Sequence, residues 1–222
     1  MTEKVTKEIK RYTSFLYLKE ILKNKSIFLV DYNKWKDSND NHTINLFKEY
    51  LLSQKHRSNK VHSIHAACFT LSKETHHHWE TFTTHDEGVC ITFSKDQIEK
   101  SIELDINEKR ELIYQEVKYI RLKNRKLNDC DTKLLEYKDI QFIKRFAYET
   151  EKEFRVISIN FRDCKETTSI PISTESISGI SFNPYMSAEQ YEKLCTELVY
   201  DFDFPRTKIT KSRIVDSTAW KS

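Results

Sequence analysis

The chain has 222 residues, 38% hydrophobic and 32% charged, with 37 Lys and Arg against 34 Asp and Glu for a formal net charge of +3. Its 13 Phe and 11 Tyr supply apolar material for one large core, so a single domain over residues 1–222 is expected. The charge balance permits a nucleic-acid partner without requiring one. No apolar run approaches the roughly 20 residues that span a bilayer, and the opening Met1-Thr2-Glu3-Lys4 has no signal-peptide apolar stretch. A cytoplasmic protein with no membrane partner is the expectation.

Cysteine and glycine usage exclude more. Cys68, Cys90, Cys130, Cys164 and Cys195 are odd in number, widely spaced and free of any Cys-x-x-Cys pair, which argues against a disulfide framework or a zinc ribbon. Gly88 and Gly179 are the only glycines. A dinucleotide fingerprint needs three in a short motif and a P-loop needs two before its Lys. A nucleotide bound here is held without a glycine-rich phosphate cradle.

Taken in chain order, the pattern predicts a strand over 9–12 and a helix over 15–25 with apolar Leu18, Ile21 and Leu22 and Ser14 as its cap. A short strand over 26–30, an Asp- and Asn-rich loop over 31–41 and a helix over 43–52 follow. Next come a strand over 63–71, a short helix over 76–83, a strand over 88–93 and a helix over 95–101. Alternation predicts a strand over 111–120, and Leu135, Phe142, Ile143 and Phe146 predict a helix over 131–149. Strands over 153–160, 168–172 and 177–182, a helix over 187–198 capped by Ser187, and a strand over 208–215 complete the chain. The mixture lacks regular strand–helix–strand units, so the predicted class is α+β, with a split, mostly antiparallel sheet flanked by helices.

The densest run is Tyr148-Glu149-Thr150-Glu151-Lys152-Glu153-Phe154-Arg155-Val156-Ile157. If it is extended, Glu151, Glu153 and Arg155 share one face. Two acids and an Arg on a central strand suit a site; the same spacing also makes an ordinary exposed ion pair worth about 0–1 kcal/mol. All eight histidines lie between His42 and His85, but the adjacent His76, His77 and His78 diverge by about 100° each on a helix and cannot converge on one metal. No metal is expected. Trp79 reads as a core anchor, and Thr70 and Ser72, at alternate positions, are candidates to line a polar cleft. Near the start, Arg11 is able to clamp a phosphate and Tyr12 to stack on a base or nicotinamide ring; a surface Arg beside a core Tyr is the alternative. The turn-rich Trp35-Lys36-Asp37-Ser38-Asn39-Asp40 fits a surface turn as well as a site.

In order and spacing these segments resemble the bacterial family catalogued as domain of unknown function 2971, whose relatives look like ADP-ribosyltransferases. The resemblance rests on four blocks: Arg11-Tyr12-Thr13-Ser14 before Ile27-Phe28-Leu29; Trp35-Lys36-Asp37; Cys68-x-Thr70 with Glu74, Trp79 and Gly88-Val89-Cys90-Ile91; and Tyr148 with Glu151-Lys152-Glu153-Phe154-Arg155. It implies an ADP-ribosyltransferase-like fold using NAD as substrate. It also implies Glu153 as catalytic residue, Glu151 as its assistant, and Arg11, Tyr12, Thr70, Ser72 and Arg155 as NAD-binding candidates. Free-standing bacterial transferases of this size resemble toxins of toxin–antitoxin or phage-defence systems, which implies a macromolecular target and an antitoxin protein as a possible partner. The slightly basic balance favours nucleic acid, RNA first, over a protein target, with Lys118, Arg121, Lys123, Arg125 and Lys126 as a candidate basic patch. A non-catalytic nucleotide- or partner-binding module is the alternative, and a Mg²⁺-dependent nuclease-like toxin ranks last for want of a third well-spaced acid.

Overall fold

The computed structural model describes residues 7–35, 37–54, 61–83, 87–105, 108–121, 137–161 and 168–215. Its elements are β1 (Glu8–Ser14), α1 (Phe15–Asn24), β2 (Ser26–Phe28), β3 (Val30–Asp31), α2 (Ser38–Ser53), β4 (Ser63–Thr70), α3 (His76–Phe82), β5 (Gly88–Ser94) and α4 (Lys95–Leu104). Then follow β6 (Arg110–Glu116), β7 (Lys118–Ile120), β8 (Ile143–Arg145), β9 (Glu153–Asn160), β10 (Ser169–Pro171), β11 (Ile177–Phe182), α5 (Ala188–Phe202) and β12 (Ile209–Lys211). The expected α+β class is the one observed: five of the described strand pairings are antiparallel and two are parallel. Among the described residues no helix is long and apolar enough to cross a membrane.

The chain divides into two compact units. The first comprises Met1–Ile27, Phe69–Ser101 and Pro171–Ser222. In it β5 lies between β1 and β11, antiparallel to both, and β12 runs parallel to β11. Helix α1 forms because Ser14 accepts a hydrogen bond from Tyr17 N at 3.2 Å and because Phe15, Leu18, Ile21 and Leu22 line one face. It stops at Lys25, whose φ of 48° places it in the left-handed region. Helix α3 is capped by Thr75 and buries His78 and Trp79.

The second unit comprises Phe28–Cys68 and Ile102–Ile170. Strand β9 is its centre, flanked by β4 and by antiparallel β6, and every one of its residues is buried. A strand covered on both faces must either be wholly apolar or satisfy each of its charges internally. Ile44, Phe47 and Leu51 of α2 pack with Ile140, Phe142, Ile143, Ile157 and Ile159 to form the core. Strands β7 and β8 form a separate parallel ribbon that sets Tyr119 opposite Lys144.

Four expectations are corrected. The segment read as a helix over 131–149 is, from residue 137 on, a 3₁₀ turn (Tyr137–Phe142), then β8, then a second 3₁₀ turn (Phe146–Glu151); residues 131–136 lie outside the described residues. The apolar Phe142 and Ile143 are indeed buried, but pairing with β7 overrides the helical spacing. The strand read over 111–120 breaks at Val117: its N–H still donates to Glu153 O at 2.8 Å in register with the ladder, but the Glu153 N–H turns away to the Tyr119 hydroxyl at 2.8 Å, and β7 pairs with β8 instead. The loop over 31–41 contains β3, a 3₁₀ turn (Tyr32–Lys34) and the start of α2, so Asp40 is helical. The last strand is short: it starts at Ile209 after the 3₁₀ turn Arg206–Lys208 and ends at Lys211, beyond which Ser212 Oγ accepts from Ile214 N at 3.3 Å.

Candidate active site

The site grows from β9. Arg155 stands in this apolar strand with 0% of its surface exposed, so its charge must be met by the protein. Its Nε donates to Glu153 Oε1 at 2.6 Å and its Nη2 to Glu153 Oε2 at 3.1 Å, a two-point clamp between residues on the same strand face. Nη2 also reaches Asp40 Oδ1 at 3.1 Å, and Nη1 donates to the Gln141 carbonyl at 2.9 Å. The indole of Trp35 lies 5.2 Å from the guanidinium carbon.

A second cation stands beside the first. Lys144 Nζ donates to Glu151 Oε2 at 2.8 Å and to Glu153 Oε2 at 3.4 Å, and lies 3.4 Å from Asp40 Oδ2. The Tyr148 ring is 4.8 Å from the ammonium. The Tyr119 hydroxyl accepts from Glu153 N at 2.8 Å, fixing the start of β9.

Glu151 does not lie on the strand with Glu153. It ends the 3₁₀ turn, which the Lys152 N–H closes onto Glu149 O at 3.2 Å, and Lys152 has a φ of 42°. That left-handed residue breaks the alternation that places Glu151 on the Arg155 face by pleat alone. The two acids are gathered by Lys144 instead.

Their environments differ. Burial pushes the Glu153 carboxyl up, but Arg155 and Lys144 overcome this and hold it down at about 2. Burial pushes Glu151 up as well; Lys144 opposes this, while Glu153 and Asp40 reinforce it, and the carboxyl remains above its ordinary value. Side-chain exposure follows the same order, 12% for Glu151 against 6% for Glu153. Burial lowers the Lys144 ammonium, yet Glu153, Asp40 and Glu151 raise it on balance, so it stays charged. Cys68, at the Glu153 carboxylate, is pushed well up by burial and by that negative charge, which keeps it a thiol. Among the described residues three carboxylates thus face two cations, and Glu151 is the more open of the two glutamates.

Of the remaining sequence candidates, Arg11, Tyr12, Thr70 and Ser72 belong to the first unit and Lys118 and Arg121 to the second. Arg11 lies over the rings of Tyr17 and Phe69, its guanidinium carbon 4.9 and 5.8 Å from their centroids, and its buried Nη1 has no hydrogen-bond partner. Tyr12 is 8% exposed, stacked on His78 at 5.0 Å and edge-on to Trp79 at 5.0 Å. That is core packing, and His78 already occupies a ring face. Thr70 Oγ1 accepts from Ser72 N at 2.9 Å, so the pair shapes the exit of β4. Of the basic run, Lys118 and Arg121 are exposed, and Arg121 stacks on Phe146 at 3.6 Å; Lys123, Arg125 and Lys126 lie outside the described residues. Among the described residues no group of His, Cys, Asp or Glu is arranged to hold a metal ion.

Asp40, Lys144, Gln141 and Tyr119 were not singled out by the sequence. Asp40 was read as one of several turn formers, and Lys144 fell inside the helix read over 131–149, which does not form over the described residues. The signal that pointed to them was indirect: an Arg in an apolar strand needs more partners than one neighbouring Glu supplies.

Residues 78–156 match the family described as "Protein of unknown function (DUF2971)", the family resembled by the sequence blocks. No curated protein matches the chain. Solved structures of Thermus sp. 2.9 DarT are similar at 12% identity. Its complex with NAD+ gives a TM-score of 0.45 over 96% of this chain and 98% of that one. Its complex with carba-NAD+ gives 0.44 over 95% and 97%, and its complex with ADP-ribosylated ssDNA gives 0.43 over 95% of each.

Proposed function

We propose that this chain is an NAD-dependent ADP-ribosyltransferase acting as one ADP-ribosyltransferase-like domain, with nucleic acid as the favoured acceptor. The observation that carries the reading is the pair of glutamates on one ammonium whose carboxyls are pushed in opposite directions, Glu153 down to about 2 and Glu151 up. Such a pair separates a permanent charge from a proton acceptor. In the proposed reaction the nicotinamide–ribose C–N bond breaks and its electron pair leaves with neutral nicotinamide. Positive charge then develops on the ribose as an oxocarbenium-like state. Glu153, ionised at any physiological pH, offsets that charge. Glu151 takes the proton of the acceptor as the acceptor attacks the anomeric carbon. The excess of carboxylates over cations among the described residues suits a substrate fragment that becomes cationic. Arg11, with its partnerless buried Nη1, is the proposed contact for the NAD pyrophosphate. Arg155, fully buried and fully engaged, is the residue that holds Glu153 and is not proposed to touch NAD.

The acceptor is proposed from charge. The net +3 favours a polyanion, and the preference for RNA rests on that balance alone. The test incubates the protein with NAD labelled on the adenylate phosphate together with RNA, single-stranded DNA, duplex DNA or protein extract, followed by ribonuclease, deoxyribonuclease or protease. Label in nuclease-sensitive material that depends on Glu153 is the expected result, and the sensitive fraction names the acceptor. Growth arrest on expression, relieved by Glu153→Gln, is expected if the enzyme is a toxin.

One observation favours a second reading, a nucleotide- or partner-binding module without catalysis: both Glu153 oxygens are already engaged by Arg155. Saturable NAD binding with neither label transfer nor NAD turnover in any extract would establish it.

A further inference from the structure

Lys144 carries no motif, yet its side chain touches acids from three separate elements. Its Nζ meets Asp40 of α2 at 3.4 Å, Glu151 of the 3₁₀ turn at 2.8 Å and Glu153 of β9 at 3.4 Å. Its own backbone is pinned by the β7–β8 ribbon opposite Tyr119, whose hydroxyl binds the Glu153 N–H. Its side chain is only 11% exposed and passes the Tyr148 ring at 4.8 Å.

We infer that Lys144 is a positioning residue for the two-glutamate site: it holds Glu151, which the turn at Lys152 carries off the strand, against Glu153, and it sets the charge that Glu151 feels. This rests on the transferase reading of the site. The geometry gives the reason. Backbone pleat delivers Glu153 and Arg155 to one face but cannot deliver Glu151, because Lys152 is left-handed. Without an ammonium between them, two glutamates and Asp40 repel one another in a buried setting. Arg155 cannot substitute, since its donors are committed to Glu153, Asp40 and the Gln141 carbonyl. The groups facing Lys144 and Glu151 are Asp40 from α2, Tyr119 from β7, Tyr148 from the 3₁₀ turn, and Glu153 and Arg155 from β9. Lys144 is in direct contact with Glu151, its Nζ 2.8 Å from Oε2.

The test compares wild type, Lys144→Met and Lys144→Arg in two ways. In NAD turnover, Lys144→Met should lower kcat about 100-fold, as misplacing an acid–base pair does. KM should stay within about threefold of wild type. The acidic limb of its pH profile should move to higher pH, because the ammonium that favours ionised Glu151 is gone. Lys144→Arg should return the limb toward its wild-type position. In the second measurement, carbon NMR of carboxyl-labelled glutamate follows the Glu151 titration directly, with no need for activity. Its midpoint should rise in Lys144→Met and return in Lys144→Arg. A Glu151 midpoint unchanged in folded Lys144→Met overturns the inference. A raised midpoint in a protein that turns over no NAD keeps the inference about charge and sinks the transferase reading instead. If Lys144→Met does not fold, Lys144→Gln, which keeps a donor and loses the charge, is read the same way.

Discussion

Replacing Glu153 by Gln is the most direct test of the site, and the structure changes what it should do to stability. On the sequence alone the change removes one charge and leaves the fold untouched. In the folded protein the carboxylate takes both arms of a fully buried Arg155 and a contact from Lys144. A Gln side chain offers one oxygen and turns an NH₂ toward donors, so at least one of these contacts becomes a clash. The carboxyl is held at about 2 against an ordinary 4.5, which corresponds to about 3 kcal/mol in favour of the ionised form. That agrees with the about 3–5 kcal/mol lost when one partner of a buried ion pair is removed. For a chain of this size about 3 kcal/mol is about 6–12 °C of melting temperature.

The pH dependence gives the check its sign. A carboxyl whose folded value is depressed contributes stability that is complete above pH 4.5 and is lost as pH falls through about 2. Melting curves of wild type and Glu153→Gln from neutral pH downward should therefore be far apart at pH 7 and converge as the solution becomes strongly acidic. Label transfer should be absent from the variant at temperatures where it remains folded. Equal melting temperatures at pH 7 would refute the ion-pair argument, and full transfer by folded Glu153→Gln would remove Glu153 from catalysis.

Glu151→Gln should separate the two roles. Because the Glu151 carboxyl is raised by burial, its ionisation is a cost to the folded state above its folded value, so this variant should melt close to wild type at pH 7 while losing transfer; a loss of stability as large as that of Glu153→Gln would count against the assignment. Arg11→Ala should weaken NAD binding about ten- to a hundredfold, from a charge-assisted contact worth about 1.5–3 kcal/mol, and unchanged affinity by titration calorimetry would remove Arg11 from the NAD site. Trp79→Ala should cost about 3–5 kcal/mol, since the indole is 1% exposed, packs edge-on to Tyr12 and donates to Glu74 at 2.6 Å; a variant that melts like wild type but loses activity would place Trp79 in binding instead of packing.

What the sequence revealed and what it hid follow from the range of the forces involved. Helices α1 and α5 were legible because their caps, Ser14 and Ser187, and their apolar stripes act within one turn. Strand β9 was legible because Phe154, Val156, Ile157 and Ile159 are strand formers. The stretch before it was misread because Phe142, Ile143 and Phe146 recur at helical spacing, and only the distant pairing of β8 with β7 decides otherwise. The same long-range contact hid Lys144. For Tyr12 the sequence left two readings open, since a Tyr beside an Arg is equally suited to stacking a ligand or a neighbour; in the structure one of its ring faces lies against His78.

The charge count of β9 points further than its motif does. An Arg inside an apolar strand, with one Glu two residues away, leaves most of its five donors unaccounted for. A second cation brought to the same Glu must in turn be balanced by acids from elsewhere in the chain. Among the described residues those acids are Asp40 and Glu151, so that three carboxylates meet two cations there. A purely structural network has every reason to close at neutrality, since each uncompensated buried charge destabilises it. A network with one acid more than its described cations is suited to be balanced by what it binds. Cationic charge developing on a ribose would do so, and a neutral ligand would not.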